Sequence, residues 1–130
     1  MIVVLDATAI IALLDRSTAV DEYVRVARRV MAPDLAVCEV LNVRWKLTRA
    51  KLAAPSLEDV LAVFERISLI ATISLSQHAA DLAERLGHPV YDCLYAAAAL
   101  REGAQLVTAD RRLARKLASS TSIDVRTFSV

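Results

Sequence analysis

The sequence predicts an α/β fold in which a parallel sheet carries helices on both faces. Three observations lead there. Short apolar runs alternate with amphipathic stretches along the whole chain. The first run, Ile2-Val3-Val4-Leu5, is continuously apolar and rich in β-branched residues, as in a strand covered on both faces. No internal repeat, low-complexity segment or linker interrupts the 130 residues, so the alternation belongs to a single domain, 1–130.

Composition narrows the class. Apolar residues make up 56% and aromatics only 5%, so the core is aliphatic; either it is large for the size or a second chain covers some apolar surface. Two Gly and three Pro argue against disorder and against a glycine-rich phosphate loop. No apolar run is long enough to span a membrane and no basic leader precedes the first strand, so a cytoplasmic protein is expected. Cys38 and Cys93 form no C-x-x-C pair and read as small buried hydrophobes. The net charge of +1 does not announce a nucleic-acid binder. The basic residues are nonetheless clustered, at Arg25/Arg28/Arg29, Arg44/Lys46/Arg49/Lys51 and Arg111/Arg112/Arg115/Lys116.

The elements follow in order. Ile2 to Leu5 is a strand, and Ala7 to Leu14 a short apolar helix. Val20, Tyr23, Val24, Ala27 and Val30 recur at helical spacing, which predicts a helix from Val20 to Met31, stopped by Pro33. Leu35 to Val37 reads as a short strand and Cys38 to Leu52 as a helix. On that helix Val37, Val40, Leu41, Trp45 and Leu52 share an apolar arc that also contains Arg44, while Glu39, Asn42, Lys46 and Arg49 share the opposite one. Ser56 caps a helix over Leu57 to Ile67. Leu69 to Leu75 reads as a strand, and Ser76 as the cap of a helix ending at Gly87. Tyr91 to Arg101 is a helix rich in alanine, ended by Gly103. Gln105 to Thr108 is a strand, Arg111 to Ala118 a helix, and Asp124 to Phe128 the last strand.

Four carboxylates stand at or just beyond strand ends: Asp6, Glu39, Asp92 and Asp110. In a parallel sheet all four reach one edge, the edge where such folds bind ligands. Taken singly, Asp6 and Asp110 read as helix N-caps, and Glu39 and Asp92 as favourable charges near helix starts. Taken together they would repel one another, and a divalent cation resolves that cost. Oxygen ligands without an expected His or Cys neighbour point to Mg²⁺ or Mn²⁺, which suits phosphate chemistry. Thr8 and Thr108 place hydroxyls beside Asp6 and Asp110. His78 and His88 lack metal-pair spacing and read as surface or capping residues.

These residues also carry a family likeness. V-V-L-D-A-T-A-I-I-A-L-L resembles the opening of PIN-domain nucleases, an apolar strand followed by Asp, any residue, and Ser or Thr. C-E-V-L-N-V, V-Y-D-C-L-Y-A-A-A-A and L-V-T-A-D-R-R-L are similar to the later acidic motifs, in the same order. In size the chain is similar to the VapC toxins of type II toxin–antitoxin pairs. The resemblance implies a three-layer α/β/α sandwich with a five-stranded parallel sheet. It implies Mg²⁺- or Mn²⁺-dependent endoribonuclease activity leaving a 5′-phosphate and a 3′-hydroxyl. It also implies a homodimer and a cognate antitoxin that can push a basic side chain among the acids. Asp6, Glu39, Asp92 and Asp110 are then the metal-holding residues, with Thr8 and Thr108 orienting ligands or water and Asn42 supporting Glu39. Lys46, Arg49, Arg111 and Arg112 are candidates to hold RNA phosphates. Two alternatives stay open: a non-catalytic PIN-like binding module, and an RNA-processing nuclease without an antitoxin.

Overall fold

The computed structural model describes all 130 residues. Five strands, β1 (Ile2–Leu5), β2 (Arg29–Pro33), β3 (Ser68–Ile70), β4 (Gln105–Thr108) and β5 (Val125–Thr127), pair in the order β3-β2-β1-β4-β5. Every pairing is parallel. Seven helices connect them: α1 (Ala7–Leu14), α2 (Thr18–Val26), α3 (Leu35–Arg49), α4 (Leu57–Glu65), α5 (Thr72–Leu86), α6 (Val90–Glu102) and α7 (Arg111–Ser120). Helix α1 packs with α2, α3 and α4, whereas α5 packs with α6 and α7, so the sheet lies between two helical layers. The three-layer α/β/α sandwich expected from the sequence is the observed one.

The middle of the sheet explains its stability. Val3, Val4 and Leu5 of β1 are wholly buried, as a strand with neighbours on both edges and helices on both faces must be. Helix α6 crosses β1, β2 and β4, and its residues Cys93 to Ala99 are all buried. The alanines keep the helix close to the strands without steric conflict. The chain builds outward from β1 to β2 and β3, then returns to the far side of β1 with β4 and β5. The direction of winding therefore reverses between β1 and β4. No helix is long and apolar enough to cross a membrane.

Several local signals behave as read. Ser56 accepts from the amide of Asp59 at 3.0 Å and starts α4. Gly87 and Gly103 end α5 and α6 in the left-handed conformation, at φ 61° and 62°.

Other expectations are corrected. Helix α2 ends at Val26, and the second strand is Arg29–Pro33, not Leu35 to Val37. Val30 and Met31 happen to continue the helical spacing of α2, but they are claimed by pairing between β1 and β3. Pro33 closes that strand, where its missing N–H does least harm. Leu35 to Val37 is then the first turn of α3. The third strand stops at Ile70, and Thr72 to Leu75 opens α5. A cross-link from the neighbouring junction explains it: the amide and hydroxyl of Thr72 donate to Asp34 at 3.0 and 2.5 Å. The same hydroxyl accepts from the amide of Leu35 at 3.0 Å. Ser76 is no cap; it lies inside α5 and donates back to the Thr72 carbonyl.

On α3 the apolar arc does not stay inside. Trp45 is 53% exposed with the Arg49 guanidinium stacked over its ring, and Leu52, expected to end the helix, is 62% exposed and lies beyond α3, which stops at Arg49. Arg44 has a role the sequence did not supply: its Nε donates to the Pro55 carbonyl at 3.0 Å, tying α3 to the turn before α4. Cys93 is buried but Cys38 is exposed.

The close approach of α6 gives a stability test. Ala97→Leu adds volume where the helix is fully buried, and destabilisation of about 1–3 kcal/mol is expected from urea unfolding. A variant as stable as the parent would show that α6 has room over the sheet.

Candidate metal centre

Asp6 is the first residue beyond β1, at the point where the winding reverses. Its amide donates to the Val107 carbonyl of β4 at 3.2 Å, which carries the strand register one step past β1. Its carboxylate is 7% exposed and surrounded by donors. The Thr8 hydroxyl donates to Oδ1 at 2.6 Å, and the Ala9 amide to the same oxygen at 2.9 Å. The buried Thr108 hydroxyl donates to Oδ2. Asp6 is thus the N-cap of α1 as well as the floor of the site.

Both threonines are oriented by backbone amides at the end of β4. Thr8 Oγ1 accepts from the amide of Ala109, and Thr108 Oγ1 accepts from the amide of Asp110, each at 3.0 Å. With their lone pairs engaged by backbone N–H groups, their protons point at Asp6. Asp110 in turn caps α7 by accepting from the amide of Leu113 at 3.0 Å.

Asp92 lies in the first turn of α6, half-buried. The His88 ring donates from Nε2 to Asp92 Oδ2 at 2.9 Å, and the same nitrogen is 3.8 Å from Asp110 Oδ2. Ligand atoms of His88, Asp92 and Asp110 all lie within 4.8 Å of one another. Glu39 sits in the second turn of α3, one turn later than expected, because α3 begins at Leu35. Its Oε1 accepts the hydroxyl of Tyr95 at 2.6 Å.

The electrostatics follow from burial. Loss of solvent raises the Asp6 pKa to about 6, against the lowering effect of Thr108, Thr8 and the Ala9 amide, and the Asp92 carboxyl adds to the rise. Burial also raises Glu39, which the Tyr95 hydroxyl opposes and Asp92 reinforces. Burial, then the bond to Glu39, pushes the Tyr95 phenol upward, so Tyr95 remains a neutral donor. Two of these carboxyls are therefore short of positive charge. With the Asp92 and Asp110 carboxylates converging beside His88, the residues present fit a divalent cation.

The structure brings Asp6, Thr8, Thr108 and the amide of Asp110 into one hydrogen-bonded unit, and His88 donates to Asp92 while lying 3.8 Å from Asp110 Oδ2. Glu39 reaches the same edge through Tyr95. The four basic candidates stand outside this unit. Arg111 and Arg112 are exposed in the first turn of α7, directly after Asp110. Lys46 and Arg49 are exposed on the later turns of α3, with Asn42 between them and Glu39.

Three participants were missed. His88 is 9% exposed and inside the acid cluster, which corrects its reading as a surface residue and the expectation that no histidine is near; His78 is exposed, as read. Lys116 of α7 donates to the Gly87 carbonyl at 2.9 Å and faces His88 Nδ1 at 3.3 Å. Tyr95 is the third. The spacings of His88 and Tyr95 to Asp92, four and three residues, were visible signals. Nothing local marks Lys116.

Fold and site together define a parallel α/β domain with an acid-lined carboxyl edge at its switch point. The chain belongs to the PIN domain family, whose family model matches residues 3–117. It is similar to Ribonuclease VapC3 of Pyrobaculum aerophilum, 36% identical over 124 residues that cover 89% of this chain and 95% of that protein. A crystal structure of PAE2754 from Pyrobaculum aerophilum superposes with a TM-score of 0.75 at 24% identity, over 95% of this chain and 81% of that one. A toxin–antitoxin complex from Klebsiella pneumoniae superposes with a TM-score of 0.73 at 13% identity, over 98% of this chain and 99% of the other. VapBC2 from Rickettsia felis, bound to a promoter DNA fragment, gives a TM-score of 0.62 at 13% identity, over 99% and 100%. At those identities the superpositions speak to the fold.

The raised pKa of Asp6 has a measurable consequence in metal-free protein. Folding moves the group from 3.8 to about 6, so between those values the folded state holds the proton and the unfolded chain releases it. The stability it contributes is present at low pH and is lost as pH rises through about 6, leaving a burial cost of roughly 3 kcal/mol at neutral pH. Asp6→Asn removes the titrating group but sets its amide N–H against a threonine O–H donor, a loss that does not vary with pH. The melting temperature of Asp6→Asn relative to the parent's should therefore rise between about pH 4.5 and about pH 7.5. A gap independent of pH would contradict the assignment.

Proposed function

We propose that this chain is a Mg²⁺- or Mn²⁺-dependent endoribonuclease, the toxin of a toxin–antitoxin pair, that hydrolyses RNA phosphodiester bonds. The observation that carries the reading is the convergence of Asp92 and Asp110 at the switch-point edge, with Asp6 and Glu39 each close enough to feel the charge of Asp92. Capping accounts for Asp6 and Asp110, and Asp92 and Glu39 accept from the buried His88 and Tyr95, yet no Lys or Arg pairs with any of the four. That is why a purely structural role for the set is the weaker reading. The ribonuclease relative, at 36% identity over 89% of the chain, supports the substrate class.

Asp6, Asp92 and Asp110 would hold the cation, directly or through water, with Glu39 completing the set. A bound Mg²⁺ or Mn²⁺ supplies the charge that activates water and stabilises the phosphate during in-line displacement. The protein's part is orientation. Thr8 and Thr108 fix both oxygens of Asp6, and Tyr95 fixes one oxygen of Glu39. Arg111 and Arg112, which follow Asp110, and Lys46 and Arg49, later on α3 than Glu39, would hold RNA phosphates in this reading. A cognate antitoxin and a second copy of the chain are the protein partners in this reading. Exposed Trp45, Leu57 and Leu61 on α3 and α4 leave apolar surface for a partner.

Purified protein should cut RNA only with Mg²⁺ or Mn²⁺, and sequencing of the cut 5′ ends should find 5′-phosphates. Asp6→Asn and Asp92→Asn should abolish cleavage while leaving the far-UV circular dichroism unchanged. Full-rate cleavage by Asp6→Asn would reject the reading. Tyr95→Phe, which frees Glu39 without removing a ligand, should cost roughly 10- to 100-fold in rate.

A further inference from the structure

The two ring nitrogens of His88 face opposite kinds of partner. Nε2 points between Asp92 Oδ2 and Asp110 Oδ2, at 2.9 and 3.8 Å. Nδ1 lies 3.3 Å from the Lys116 ammonium, which also donates to the Gly87 carbonyl. An ammonium has three donors and no acceptor, so Nδ1 can only accept from it. The proton of a neutral imidazole must then sit on Nε2.

We propose that Lys116 locks His88 in the Nε2–H tautomer, making His88 a positioning residue for Asp92 and barring it from the metal. The inference rests on the metal-dependent reading above and deepens it. A histidine within reach of two carboxylates would otherwise complete a nitrogen-and-oxygen set suited to Zn²⁺. For that, Nε2 must offer its lone pair, and the proton must move to Nδ1. Lys116 occupies the direction that proton would need. The imidazole consequently stays a donor, holds Asp92 Oδ2 in place, and leaves the cation an oxygen-only site. The side chain of His88 is 5% exposed, so water does not offer Nδ1 another partner. Lys116 comes from α7, the helix that Asp110 caps, so the lock and the fourth acid are carried by one element.

Long-range proton–nitrogen correlation spectra of the imidazole, on the full chain with and without Mg²⁺, test the tautomer directly. An Nε2–H pattern in both is expected; an Nδ1–H pattern overturns the proposal. Metal calorimetry tests the consequence. Removing a positive charge in Lys116→Met should strengthen Mn²⁺ and Zn²⁺ binding alike, so the telling quantity is their ratio. The preference for Zn²⁺ over Mn²⁺ should rise about tenfold or more in Lys116→Met, and the rise should vanish in the Lys116→Met/His88→Gln double variant. An unchanged ratio, or a rise that survives loss of the imidazole, overturns it. Neither readout involves RNA. Failure of the parent protein to cut RNA would count against the nuclease reading, while the tautomer would still be decided by its own spectrum.

Discussion

Strand β1 has β2 on one side and β4 on the other, and the chain winds away from it in opposite directions on the two sides. The connections leaving β1 and β4 therefore diverge, one into α1 and one into α7. In such sheets the carboxyl edge at the point of divergence is where ligands bind, a place set by strand order. Everything at the site depends on this divergence. Asp6 and Asp110 are the first carboxylates beyond the two strands, and each starts the helix that leads away. The hydroxyls of Thr8 and Thr108 stitch the two ends together across the gap.

The stitching is also an electrostatic compromise. Three donors to Asp6 favour its ionised form, yet burial outweighs them. A folded protein tolerates such a group when something outside the chain compensates it. The neighbouring basic side chains do not do so. Lys116 is directed to Gly87 and His88 rather than to an acid, and Arg111 reaches towards Ser129. Positive charge is close enough to hold the framework but is kept off the carboxylate oxygens. That arrangement is consistent with a centre built to receive a cation.

Much of this was legible in the sequence, for local reasons. Ile2 to Leu5 followed by Asp6 is a short-range pattern, as are Ser56 ahead of α4 and Gly87 and Gly103 after α5 and α6. The errors came where tertiary pairing overrode local spacing. Val30 and Met31 fit a helical stripe as well as a strand, and only the vacancy between β1 and β3 decides between them. Thr72 and Ile73 are β-branched and suggest a strand, but Asp34, 38 residues earlier, supplies the hydrogen bond that opens α5 there. The acids of the site could be placed because each sits near a strand end. The environment of His88 could not, since its partner Lys116 is 28 residues away and on another helix.

The central claim is that acids from four separate segments form one cation site at the switch point. Crystals grown in Mn²⁺ and measured for anomalous scattering at the manganese edge test it most directly. The expected result is a peak bounded by the carboxylates of Asp6, Asp92 and Asp110, with His88 still donating to Asp92. An anomalous map without a peak there at saturating Mn²⁺, or with its strongest peak on another face of the sheet, would contradict it.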